Sequence, residues 1–338
     1  MTPNTTPSIV RIVKPARLAA GLLLASALLA GLAADDLKTL KGTVRIDGSS
    51  TVFPIMEAVA EEFSKTAPGV KVPVGVSGTG GGFKRFCVGE TEVSSASRPI
   101  SPSEVELAAT NKVEFIELPI AYDALSIVVN PKNDWMKQVT IAQLKTIFSE
   151  GGAKTWKDID PSWPDRPMRV FSPGTDSGTF DYFKEAVIGK EGSVRRDVSV
   201  SEDDNVLVIG VSGDKDAIGF FGLAYFTENK DKLRAVPVVG KSGASVAPEA
   251  STVADGSYPL ARPLFLYVSA KAAATPETAA LIDFTLAKAS EVVEEVGYVL
   301  LPGQFVERAS ANWKARKTGT AFVKDGAKVE GTFSTLYK

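Results

Sequence analysis

The chain has 338 residues, 44% hydrophobic and 23% charged, with a formal net charge of −2. That balance belongs to a folded chain, and the length suits two domains of ordinary size. One cysteine and no histidine exclude an internal disulfide, a Ser-His-Asp triad, a Cys-His pair and a histidine-ligated metal site.

Arg11, Lys14 and Arg17 precede an apolar run, Leu18 to Leu29, and no charge follows until Asp35. Gly31 and Ala33 are small residues at the minus-three and minus-one places of a cleavage site. Residues 1–33 therefore read as a cleaved secretory signal peptide, because the run is shorter than the ~20 residues of a bilayer span; a retained anchor is the alternative. No Cys follows the run, so no lipid anchor is expected. Cleavage removes three cations and no anions, which moves the net charge to −5. An acidic surface disfavours nucleic acid and anionic membranes but not a small anion, whose binding is decided by local donors.

Val44 to Ile46 reads as a short strand. Beyond Pro54, Ile55, Val59 and Phe63 recur four apart on one helix face. Val70 to Val76 alternates as a strand, and Phe83 to Val88 is helical up to Gly89, with Cys87 a small core residue. Ser101 and Glu104 fit a capping box. Phe115 to Val129 is a long β-rich run. Thr140 caps a helix carrying Ile141, Leu144 and Phe148, and a Trp/Pro-rich loop leads to a strand at Met168 to Phe171. The loop Ser172 to Ser177 opens a helix with Phe180, Phe183 and Val187 on one face. Val206 to Val211 reads as helix, Ala217 to Phe221 as strand, Gly240 to Gly256 as surface loop and Leu264 to Val268 as strand. Helices are predicted over 276–287 and 290–296, and the tail from Thr318 has no assignment. This order predicts an α/β fold with largely parallel sheets.

One chemical theme occurs three times. Gly48-Ser49-Ser50-Thr51, Ser77-Gly78-Thr79-Gly80-Gly81-Gly82 and Asp176-Ser177-Gly178-Thr179 each lie between a strand and a helix. At a helix N-terminus the first backbone N–H groups lack partners, and the dipole favours negative charge. Glycine lets an oxyanion approach the backbone, and Ser and Thr add rotatable donors. Simple capping explains any one such loop; three in one chain suggest an anion site. None fits an NTPase phosphate loop, since Gly82 is followed by Phe83 and Lys84, and the dinucleotide fingerprint is missing too. Arg98, held extended by Pro99, stands at a strand's C-terminal edge, where it either binds an oxyanion or pairs with Glu104 or Glu106.

The stretches Asp47 to Pro54, Ser77 to Lys84, Ala96 to Ile100 and Gly174 to Phe180 resemble the phosphate-binding proteins of phosphate ABC transporters. The cyanobacterial-type branch is nearest, and Ser201 to Asn205, Tyr258 to Pro263 and Gly297-Tyr298 fit it as well. The resemblance runs from about residue 42 to the C-terminus. It implies a two-lobed type II periplasmic-binding-protein fold with a ligand cleft between the lobes, residues 35–120 plus 264–338 forming one lobe and 121–263 the other. Crossovers are expected near Pro119 to Ala124 and Leu260 to Leu264. Ser50, Thr51, Thr79, Gly80, Ser177, Gly178 and Thr179 match the family's binding loops, and Arg98 is added as the cation.

The resemblance further implies a monomer outside the cytoplasmic membrane, periplasmic or extracellular, that needs no cofactor and delivers inorganic phosphate to ABC permease subunits. The chain departs from the best-known branch in two places. Ser97-Arg98 stands where that branch has an Asp accepting the phosphate proton, and Pro173 stands where it has an Arg. Asp176 is a candidate acceptor. Sulfate or arsenate are alternative ligands. A phosphatase with Ser177 or Ser50 as nucleophile would need a base that the missing histidine does not supply.

Overall fold

A computed structural model describes residues 34–337 apart from positions 176, 190, 202 and 241. The expected signal peptide and Asp176 lie outside the described residues.

The element that organises the molecule is a strand of fifteen residues, Phe115–Val129, buried along its whole length. Its sequence shows no polar alternation, as a strand covered on both faces requires. Its N-terminal part pairs antiparallel with Ala261–Ser269, with a register shift between Leu264 and Phe265. Its C-terminal part pairs antiparallel with Ala217–Gly222. One strand thus serves two half-sheets.

On the first side, Ala261–Ser269 continues to Val93–Ala96, Ile46–Gly48 and Val74–Val76, and the last three run parallel. On the second side, Ala217–Gly222 continues in parallel to Arg169–Pro173 and Ser199–Ser201. The result is a two-lobed α/β molecule joined through two neighbouring strands.

Helices cover both half-sheets. Phe53–Thr66 buries Ile55, Met56, Val59 and Phe63 on one face, and burial of each such side chain contributes about 1.5–3 kcal/mol. On the other side Phe183 stacks on Phe220 at 3.9 Å, with Phe148 edge-on to both. The capping boxes Ser101/Glu104 and Thr140/Gln143 both form. Among the described residues no helix is long and apolar enough to cross a membrane.

The structure corrects several expectations. The run 70–76 breaks into Val70–Lys71 and Val74–Val76, because Pro73 has no N–H for the ladder. The helix expected from Phe83 begins at Gly78. Its glycines hide it from hydrophobic periodicity, yet Gly82 is needed there, since an added Cβ would lie 2.6 Å from the Gly48 Cα. The two helices over 276–296 are one, Pro276–Glu295. The 240–256 loop holds a short strand, Ser245–Val246, and a helix, Ala250–Ala254. A helix that periodicity did not reveal, Gly303–Lys314, buries Phe305, Ala309 and Trp313. The tail forms a small hairpin, Val323–Lys324 with Ala327–Lys328, and a helical turn, Phe333–Leu336.

Candidate functional site

The first loop leaves its strand at Gly48, whose φ is 145°. An added Cβ there would lie 2.1 Å from the Ser95 carbonyl oxygen, so only glycine fits. The Ser49 N–H donates to that same carbonyl at 3.0 Å. The following helix, Phe53–Thr66, has no side-chain cap. Ser50 Oγ donates to Asp181 Oδ2 at 2.8 Å, and Thr51 Oγ1 accepts from Arg262 Nη2 at 2.7 Å.

The second loop opens the helix Gly78–Phe86, and again no side chain caps it. Ser77 Oγ donates instead to Asp47 Oδ2 at 2.9 Å, an oxygen that also receives Arg85 at 2.7 Å. Thr79 Oγ1 accepts the Ser97 N–H at 3.1 Å and lies 3.1 Å from Ser97 Oγ. At the third loop Ser177 does cap, its Oγ accepting the Thr179 N–H at 3.2 Å. That helix, Gly178–Phe183, runs on into a π-helical turn, Lys184–Ile188. Simple capping therefore accounts for the third loop and fails at the first two.

The first loop touches both of the others. Gly82 packs on Gly48, and a Cβ on Gly178 would lie 3.1 Å from the Thr51 Cα. Ser50, Thr51 and Gly178 are thus brought together directly, and Thr79 and Gly80 join through the Gly82–Gly48 contact.

Arg98 borders the second loop, 3.9 Å from a Cβ added at Gly80. Its guanidinium is engaged with Glu104 in a fork of 2.8 and 2.9 Å and lies 5.4 Å from the centre of the Phe83 ring. Of the two alternatives the sequence left open, pairing with Glu104 is the one present. Burial pushes Glu104 up, but the bonds from Arg98 and Ser101 outweigh it and hold the carboxyl below its usual range.

The residue that sequence reasoning missed is Arg262. It is 9% exposed and sits opposite Asp123 in the register of the two joining strands. Its Nε donates to Asp123 Oδ2 at 3.2 Å, its Nη1 to Glu185 Oε2 at 3.4 Å and its Nη2 to Thr51. The guanidinium lies 3.8 Å from the centre of the Tyr182 ring, close enough for a cation–π contact. One arginine on a joining strand therefore holds the first loop and the helix after the third loop at once. The signal was an Arg-Pro pair, Arg262-Pro263, of the same form as Arg98-Pro99.

Asp123 is 1% exposed, and its Oδ1 has no hydrogen-bond partner. Burial raises its carboxyl above the usual range while Arg262 pulls it back. Ser94 Oγ and Ser95 Oγ, beneath the first two loops, are likewise buried without a partner. With Asp123 Oδ1 they are three of eleven buried side-chain nitrogen and oxygen atoms without a partner among the described residues. Among the described residues no group of three or more His, Cys, Asp or Glu side chains could hold a metal ion.

A family model described as the PBP superfamily domain matches residues 34–289. Protein SphX of Synechococcus elongatus is 46% identical over 332 residues, 96% of this chain and 98% of that protein. The chain belongs to the PBP superfamily. Within it, the chain belongs with the SphX and PstS proteins: the phosphate-binding protein PstS of Staphylococcus haemolyticus is 41% identical over 268 residues, 78% of this chain and 83% of that one.

Solved structures agree. A possible phosphate binding protein from Planctomyces limnophilus superposes with a TM-score of 0.81 at 42% identity, covering 82% of this chain and all of that one. A protein from Clostridium perfringens solved with bound phosphate gives a TM-score of 0.53 at 28% identity, covering 77% of this chain and 100% of that chain. The PBP fold and the two-lobed α/β architecture are the same finding reached from two sides.

Proposed function

We propose that this protein is a receptor for inorganic phosphate that works outside the cytoplasmic membrane and hands its ligand to an ABC permease. The observation that carries this is the meeting of the Ser/Thr/Gly loops beside a buried arginine, with two of their helix N-termini uncapped by any side chain. Helix N-termini, hydroxyls and a guanidinium are the donor set that an oxyanion needs. The phosphate-binding names of the relatives and the bound phosphate in the Clostridium perfringens structure support the same ligand.

In this reading residues 35–120 plus 264–338 form one lobe and 121–263 the other. Ser50, Thr51, Thr79, Gly80 and Arg98 act from the first, Ser177, Gly178 and Thr179 from the second, and Arg262 from the joining strand. Closure about the strands 115–129 and 261–269 brings both sets onto the anion and excludes water, which strengthens each charged hydrogen bond. The cycle is binding and release by a monomer, without catalysis. A phosphatase is disfavoured because Ser177 Oγ is engaged in capping and the chain has no histidine to activate a hydroxyl.

The test is calorimetric titration of the protein, stripped of anion, with phosphate and with sulfate at neutral pH. Tight phosphate binding and weak sulfate binding are expected. Preference for sulfate, or binding of neither, would overturn the ligand and leave the fold standing.

A further inference from the structure

A serine hydroxyl carries one proton, and a proton bonded to one acceptor is closed to another. The Ser50 proton is already taken: its Oγ donates to Asp181 Oδ2 at 2.8 Å. Asp181 stands in the helix Gly178–Phe183 that follows the third loop, and Glu185 comes four residues later in the π-helical continuation. Glu185 Oε2 accepts from Arg262 Nη1 at 3.4 Å. One short helical stretch thus sends two carboxylates to two of the donors that the phosphate reading needs.

The contacts on those donors differ in burial, and burial decides which of them an incoming anion can replace. Arg262 meets Asp123 and Thr51 in the interior, where removing one partner leaves an uncompensated buried charge. Asp181 is exposed, and the Glu185 side chain is 45% exposed. Once released, both carboxylates regain water, so their bonds contribute little. An oxyanion therefore replaces the two outer carboxylates and leaves the inner contacts of Arg262 standing.

We propose that Asp181 and Glu185 are internal competitors of the anion: they hold the Ser50 hydroxyl and the Nη1 of Arg262 while no anion is bound, and phosphate binds by displacing them. This rests on the phosphate reading above. Capture is then the exchange of one oxyanion for another on the same donors, and release is the reverse exchange. Because the donors are paired in both states, the loops bind phosphate less tightly than they would alone. The loops set what is held; Asp181 and Glu185 set how tightly.

The test is calorimetric titration of phosphate into the wild-type protein, Asp181→Ala, Ser50→Ala and the double variant. Asp181 is exposed, and alanine suits a helical position. Affinity is expected to rise by about threefold to tenfold in Asp181→Ala, the contribution of one net hydrogen bond. If Asp181 instead holds Ser50 in place for the anion, affinity falls, and that result or an unchanged affinity overturns the inference. The double variant separates competition from repulsion between negative charges. With the hydroxyl gone, deleting Asp181 is expected to gain nothing over Ser50→Ala; a gain as large as in the wild-type background means repulsion at a distance and contradicts the exchange. Glu185→Ala is expected to raise affinity by about twofold to fivefold, and a fall there contradicts the proposal. A wild-type protein that binds no phosphate overturns the underlying reading instead.

Discussion

Two buried carboxylates stand six residues apart on the same strand and have opposite surroundings. Glu117 is 3% exposed and fully satisfied: the Tyr267 and Thr320 hydroxyls donate to its Oε2 and the Ala321 N–H to its Oε1. Asp123, equally buried, has one oxygen on Arg262 and the other on nothing. The first ties the C-terminal tail to the strand that joins the lobes. The second lies beside Arg262, which holds Thr51 of the first loop. Burial alone raises both carboxyls, so burial does not tell them apart; the count of donors does. The first is a satisfied network that fixes the tail; the second leaves one oxygen unpaired beside a cation shared with the first loop.

The largest expected effect is at Arg262. Arg262→Ala removes the link between Thr51 and Glu185 and leaves Asp123 buried and unpaired. Phosphate affinity should fall by about 2–5 kcal/mol, read by calorimetry, and stability by about 3–5 kcal/mol, read by urea unfolding. Arg98→Ala, whose guanidinium is already forked onto Glu104, should lose at least about tenfold less affinity than Arg262→Ala. The reverse order would return the role of principal cation to Arg98.

Glu117 gives the next effect. Burial pushes its carboxyl up to about 7 from an ordinary 4.5. A carboxyl raised on folding contributes stability that is complete below its unfolded pKa and is lost as pH rises through the folded one. Stability of the wild-type protein should therefore fall between about pH 4.5 and 7 relative to Glu117→Gln, by on the order of 2–3 kcal/mol. Parallel unfolding curves for the two proteins across that range would contradict the assignment.

Gly178→Ala sharpens the contact between loops. The new methyl would press on the Thr51 backbone at 3.1 Å. Stability should drop by about 1–3 kcal/mol, the usual range for overpacking, and phosphate affinity should fall with it as the first and third loops are pushed apart. The smallest effect concerns Cys87, whose thiol is buried and pushed up to about 11 by that burial and by Glu104. Alkylation at pH 8 should be negligible in the folded protein and complete in urea.

The loops were legible because their chemistry is local. Gly48-Ser49-Ser50-Thr51 and Ser177-Gly178-Thr179 declare a strand-to-helix junction within a few residues, and the capping boxes at Ser101 and Thr140 do the same. Arg262 and Asp123 are 139 residues apart in sequence. What joins them is the register of two strands with a shift at Leu264/Phe265, which no local pattern encodes. Helix Gly78–Phe86 was hidden because close packing on Gly48 demands glycine where periodicity looks for apolar side chains. Helix Gly303–Lys314 was missed because a small alanine stands at the middle of its Phe305, Ala309, Trp313 stripe.

The most direct measurement is a crystal structure of the anion-stripped protein soaked in phosphate. The account expects one phosphate at the junction of the first and third loops, with an oxygen on the Arg262 guanidinium. A phosphate held only by Arg98 and the second loop, with Arg262 out of reach, would contradict it.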